Sequence, residues 1–242
     1  NRRFHHEIIP INYEHIAAQT VLLPATAKLV KPGLKINNER IGYIMGAGDE
    51  VPDSLRKMGY DVTLLDVAQI NKPYLARFDV IITGIRAYNK ITGLGSKQQY
   101  LLEFVRDGGN LIVQYNTLDE LVTKELAPYK LKISRDRITD EGSSLEFLQP
   151  NHRIMRVPNA LNAEDFKGWV QEFGLYFPGE WGPEFTPLLS GADANEKNKE
   201  GLLLVSKYGK GHYIYTGLSF FRQLPAGVPG AFRLLANLIS AK

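Results

Sequence analysis

Arg40-Ile41-Gly42-Tyr43-Ile44-Met45-Gly46-Ala47-Gly48-Asp49-Glu50 is the stretch whose reading decides the fold. Ile41 to Met45 is a short apolar strand, stopped by Gly46-Ala47-Gly48. A helix is expected from about Val51 to Met58, with Pro52 tolerated in its first turn and Gly59 as its stop. The same alternation continues outward. Asp61-Val62-Thr63-Leu64-Leu65 is a second strand, a helical stretch lies near Ile70 to Arg77, and Asp79-Val80-Ile81-Ile82-Thr83 is a third strand. Ser96 stands where a cap would, ahead of Leu101, Leu102, Phe104 and Val105 at helical spacing. Gly108-Gly109 ends that helix, and Asn110-Leu111-Ile112-Val113-Gln114-Tyr115 makes a fourth strand.

Strands this uniformly apolar, alternating with helices, imply a parallel sheet covered on both faces. The expected class is therefore α/β, flavodoxin-like or a related doubly wound sheet, with ligands beyond the carboxyl ends of the strands. Residues 1–36 differ: Ile8-Ile9-Pro10-Ile11, Thr20-Val21-Leu22-Leu23-Pro24 and Lys28-Leu29-Val30-Lys31-Pro32-Gly33 are short extended pieces broken by prolines. They read either as an extended lead-in to a domain spanning 37–242 or as an edge strand and loop of that domain. Residues 118–150 are expected to hold a short helix and a polar stretch, Ser134 to Glu141. Near the end, Gly201 to Lys207 and His212 to Thr216 flank Tyr208-Gly209-Lys210-Gly211, a β-hairpin signal. A last helix runs from about Gly230 to Ser240, with Phe232, Leu235, Leu238 and Ile239 facing the core.

Composition narrows the function classes. The net charge of +3 comes from 29 Lys and Arg interleaved with 26 Asp and Glu, so no basic block tracks a nucleic-acid backbone. No apolar run reaches the roughly 18 residues of a membrane span. With no cysteine there is no disulfide, thiolate ligand or thiol nucleophile. The chain opens at Asn1-Arg2-Arg3-Phe4-His5-His6 without the apolar core of a signal peptide, a start that fits a processed protein or part of a longer one.

The loop Gly46-Ala47-Gly48-Asp49-Glu50 resembles the beginning of a dinucleotide fingerprint, but Val51 stands where its third glycine belongs. Adjacent carboxylates would repel a pyrophosphate, so a tight turn with Asp49 and Glu50 at a helix N-terminus is the better reading. The next loop, Gly84-Ile85-Arg86-Ala87-Tyr88-Asn89, should neighbour it at the switch point of the sheet. Arg86, Tyr88 and Asn89 offer a charge, a ring and an amide, suited to a carbohydrate or carboxylate. Alternatively, Arg86 pairs with Asp49 or Glu50 and ties the two loops. After the fourth strand, Asn116 occupies the tip of a strand-to-helix turn where a nucleophile elbow would sit. An amide is no nucleophile, and no glycine flanks it.

The five histidines, His5, His6, His15, His152 and His212, lack metal-ligand spacing. No Gly-x-Ser-x-Gly appears. The stretch from Trp169 to Pro178, with Trp181 behind it, is dense in aromatics and reads as core or as a sugar platform.

The runs Arg40 to Glu50, Gly84 to Asn89, Gly108 to Asn116 and Tyr208 to Arg222 resemble the C-terminal region of large bacterial PIG-L (LmbE-like) deacetylases. That region is similar to class I glutamine amidotransferase-like and trehalose-utilisation (ThuA-like) domains. The resemblance implies a flavodoxin-like three-layer sandwich with a mostly parallel sheet, and export to the periplasm or cell surface. It does not carry activity over: the zinc-binding Pro-His-Pro-Asp-Asp-type run and the amidotransferase cysteine are both missing from this sequence. The expectation is a non-catalytic accessory domain without cofactor or metal, binding a glycan or docking to an upstream deacetylase domain of the same polypeptide. Its site is expected at Asp49, Glu50, Arg86, Tyr88, Asn89 and Asn116, with His152, Glu172, Tyr176 and Arg222 added from the second half. The alternative is an independent hydrolase of glycan-type substrates, using Asp49 or Glu50 as general acid or base with His152.

Overall fold

A computed structural model describes residues 3–241, which fall into two compact units dividing between Lys31 and Pro32. The first unit is a hairpin of β1 (His6–Ile11) and β2 (Gln19–Pro24), with His6 opposite Pro24 and Ile11 opposite Gln19. Its apolar residues are largely exposed: Ile8 and Leu22, directly opposite each other, are 66% and 60% accessible. A lone two-stranded sheet is marginal in water because it buries so little.

The second unit begins with residues that belong to it: the Lys35 amide donates to Asn159 Oδ1, and Ile36 packs on the main core. Its parallel strands are β3 (Arg40–Ile44), β4 (Asp61–Leu64), β5 (Val80–Thr83) and β6 (Asn110–Gln114). Between them lie α1 (Val51–Met58), α2 (Lys72–Leu75), α3 (Ala87–Lys90) and α4 (Leu94–Arg106). Short strands β7 (Leu131–Ile133), β8 (Arg137–Ile138) and β9 (Leu145–Phe147), helix α5 (Arg153–Arg156), and strands β10 (Gly174–Leu175) and β11 (Pro178–Trp181) follow. The chain finishes with β12 (Phe185–Gly191), β13 (Lys199–Tyr208), β14 (Gly211–Thr216), α6 (Phe220–Gln223) and α7 (Pro229–Ile239).

The main sheet has eight strands in the order β4-β3-β5-β6-β14-β13-β12-β9. From β4 to β14 all neighbours are parallel; β14, β13, β12 and β9 pair antiparallel. The period of two explains why both faces are covered. Ile41, Tyr43, Ile82, Ile112 and Ile214 pack on one side with α1 and α7. Ile44, Ile81, Leu111, Val113 and Tyr213 pack on the other with α4. The result is a three-layer, flavodoxin-like α/β sandwich.

Local rules account for the first unit of the alternation. Gly59 takes a φ of 106°, a left-handed value that closes α1 cheaply only without a Cβ. Other expectations are corrected. Ser96 lies inside α4, where its hydroxyl donates to the Gly93 carbonyl; Gly93 is the cap position, with no side chain to bond. No helix follows β6: residues 115–130 are irregular, stitched down by side chains of the preceding loop. The aromatic stretch is mainly core, with Trp169, Phe173 and Phe177 buried and the Trp169 and Phe173 rings stacked.

Candidate functional site

The order β4-β3-β5 places the chain's switch of direction at β3, so the loops after β3 and β5 meet at the carboxyl end of the sheet. Gly46 makes the meeting close: a Cβ there would lie 2.0 Å from the Ile85 carbonyl oxygen. Asp49 locks the two loops. Its carboxylate accepts from the Tyr43 hydroxyl at 2.8 and 2.9 Å, from the Val51 amide at 3.0 Å and from the Ile85 amide at 3.3 Å. Burial raises the Asp49 pKa against the pull of those donors, and burial with the nearby carboxylate pushes the Tyr43 phenol well up. Gln114 Nε2 donates to the Tyr43 oxygen at 2.9 Å, completing a buried chain. The loops are thus tied by Asp49 and a backbone amide, with no ion pair to Arg86. Glu50 is exposed and makes no cap bond.

Three predicted ligand residues form a saturated inner layer. Asn116 is fully buried; its Oδ1 accepts from the Tyr88 amide and its Nδ2 donates to the Gln114 carbonyl, both at 2.9 Å. Tyr88 is also fully buried and donates to Gln98 Oε1 at 2.7 Å. Asn89 Nδ2 donates to the Thr117 and Asp119 carbonyls, while its Oδ1 accepts from the Thr117 amide. These side chains hold residues 115–119 in place of the missing helix, and their polar atoms are already spent.

The strand–turn–helix with unusual backbone lies one strand earlier than expected. Arg86, between β5 and α3, has φ 56° and ψ 25°, a left-handed conformation costly for a residue with a Cβ. Its amide donates to the Tyr115 carbonyl at 2.8 Å. Its half-buried side chain makes no ion pair among the described residues, and its buried Nε has no hydrogen-bond partner.

Around Tyr115 the second half of the chain supplies an outer layer. The Tyr176 ring stacks on Tyr115 at 6.0 Å and 12°, and the Phe221 ring lies 5.6 Å from it. Arg86, Glu172 and Arg222 all act electrostatically on the Tyr115 phenol, whose pKa burial raises. Arg222 Nε donates to Glu172 Oε1 at 2.7 Å, and its other arm reaches Gln171. The Arg137 guanidinium lies 5.7 Å from the Tyr176 ring centre. Arg86, Gln171 and Tyr176 are three of five non-glycine residues with positive φ among the described residues. Backbone strain of this kind concentrates at functional sites because surrounding structure must hold it.

Of the predicted site residues, then, Arg86, Glu172, Tyr176 and Arg222 come together, half-buried, around Tyr115. Asp49, Tyr88, Asn89 and Asn116 build the floor and braces. Tyr115, Arg137 and Gln171 escaped the sequence reading; only the place of Tyr115 at the end of a buried strand could have marked it.

His152 belongs to the opposite end. It caps α5 through Nδ1, which accepts from the Ile154 amide, and it acts electrostatically on His212. His212 pairs with Asn110 at the beginning of β6, and the neighbouring Arg153 lines a hollow with Glu39 and Asp79, which precede β3 and β5. The strand length separates His152 from Asp49 and Glu50, so the pairing required for independent hydrolysis is not made. A hollow of about 250 Å³ edged by Lys72, Asp79, Asp107 and Gly109 also lies at that amino end, away from the strained cluster. No group of metal-ligating side chains occurs among the described residues, and no helix there is long and apolar enough to cross a membrane.

No family model and no curated protein matches the sequence. Solved structures do match. A cytoplasmic protein of Salmonella typhimurium, 14% identical, aligns over 98% of this chain and 95% of its own with a TM-score of 0.55. A second cytoplasmic protein, from Salmonella typhimurium LT2, is 13% identical over 98% and 96%, with a TM-score of 0.52. A Thermoplasma acidophilum protein described as one of the subunits of GMP synthase is 11% identical over 84% and 94%, with a TM-score of 0.50. The fold is glutamine amidotransferase-like. The periplasmic or extracellular location implied by the deacetylase resemblance is corrected by these matches: two near-full-length structural counterparts are described as cytoplasmic, so this scaffold is no sign of export.

Proposed function

We propose that this chain is a non-catalytic accessory domain of a PIG-L (LmbE-like) N-deacetylase, and that the carboxyl end of its sheet binds a carbohydrate. The observation that carries the proposal is the division of that end into two layers. Asn116, beyond the end of β6, is buried with both polar atoms bonded internally. Beside it Arg86, Tyr176 and Arg222, set around the buried Tyr115 ring, form a polar and aromatic wall, the combination that saccharides use for stacking and hydrogen bonding. The runs that resemble the C-terminal region of the deacetylases are the support for that family reading, and Arg222 lies in one of them.

A glycan array followed by calorimetric titration of the isolated chain tests this. Binding by the wild type, weakened about tenfold or more in Tyr176→Ala, is expected for an aromatic contact of about 1.5 kcal/mol. Absence of glycan binding by the folded protein would reject the carbohydrate and leave docking to a deacetylase domain as the use of this face.

A further inference from the structure

We infer that the ligand of this site carries a carboxylate, held by Arg86, and is therefore an acidic saccharide such as a uronate- or sialate-containing oligosaccharide. The inference rests on the carbohydrate reading and narrows it. Arg86 is a half-buried cation with a buried, unpartnered Nε and no carboxylate at ion-pair distance among the described residues. A guanidinium so placed has lost part of its hydration without gaining a counter-charge. Holding it there in a left-handed backbone conformation adds a second cost. An arriving anion supplies the missing counter-charge, while the backbone cost marks a position that the surrounding structure holds in place.

The surroundings distinguish among anions. Phosphate is typically cradled by backbone N–H groups at a helix start. Those groups are already engaged beside Arg86: the Ala87 amide donates to Gly84 O, the Tyr88 amide to Asn116 Oδ1 and the Asn89 amide to Arg86 O. At α1 the Val51 amide is held by Asp49, whose own charge would repel phosphate. What stays open is the planar guanidinium fork, which matches a carboxylate two bonds at a time. Glu172 is committed to Arg222, and Glu141 accepts from the Gln171 amide, whereas Arg137, over the Tyr176 ring, forms no ion pair among the described residues. The half-buried Tyr176 and Phe221, packed on the buried Tyr115 ring, supply the apolar wall for the sugar ring.

The test compares glucuronate, galacturonate and sialate oligosaccharides with their methyl esters, which keep the sugar and remove the charge. In calorimetric titration the wild type should bind at least one free acid about tenfold more tightly than its ester. Arg86→Gln should remove that preference, so that free acid and ester bind the variant alike, and Arg86→Lys should recover only part of it. If free acid and ester bind equally to the wild type, the inference is overturned while carbohydrate binding stands. If only neutral sugars or inorganic phosphate bind, it is overturned as well. If no saccharide binds, the carbohydrate reading falls with it. The wild-type comparison decides the matter even if a variant misfolds.

Discussion

The two layers at the carboxyl end of the sheet are built from similar residue types and behave differently. In the inner layer, Asn89, Asn116 and Tyr88 have their polar atoms paired within the fold. In the outer layer, Arg86 keeps an unpaired charge, and three residues sit in strained backbone. An amide or phenol next to a strand end is therefore not by itself a ligand group. What separates brace from binder is whether the hydrogen-bonding capacity is already used.

The sharpest way to break this contrast is Asn116→Ala. It leaves the Tyr88 N–H and the Gln114 carbonyl buried without their side-chain partner, and each such group costs about 1–3 kcal/mol. A loss of about 3 kcal/mol in urea unfolding is expected, and a loss within error would mean that the inner layer is not a brace. Glu172→Gln should cost about 1 kcal/mol or less, because the Arg222 pair is partly exposed. It should also raise affinity for an acidic saccharide by freeing Arg222, which titration would show.

Arg86→Gly should move stability the other way. Glycine removes the left-handed penalty, and a gain of about 0.5–1 kcal/mol is expected together with loss of the carboxylate preference. A destabilised glycine variant would show that Arg86 braces the fold after all.

The smallest effect concerns the opposite end of the sheet. Burial lowers the pKa of His152 and of His212, the latter also through Lys207 and His152. Each holds its proton less tightly folded than unfolded. Its contribution to stability is thus full above the ordinary value of 6.5 and is lost as pH falls through the folded value. Unfolding midpoints should decline modestly as pH falls below 6.5 and level off once it is below the folded values. His152→Asn, which retains a cap-competent side chain, should flatten the decline without altering saccharide affinity.

Much of the fold was legible because its signals are local. Ile41, Val80, Ile81 and Leu111 announce buried strands, and Gly59 and Gly108 announce stops, since apolar runs and left-handed turns depend on neighbours in sequence. The helix expected after β6 failed because Asn89 and Asn116, distant in sequence from parts of that segment, fix it in an irregular path. Ser96 failed as a cap because one turn further upstream could be accommodated in α4.

The sequence by itself determined the alternating α/β class, the meeting of the loops after β3 and β5, and the lack of a thiol nucleophile. Only the tertiary structure decided that Arg86 is uncompensated, that Asn116 is occupied, that Tyr115 and Tyr176 stack, and that His152 lies at the far end. The physical reason is that periodicity encodes which side of an element is buried, whereas hydrogen-bond saturation and charge compensation depend on partners supplied from distant parts of the chain.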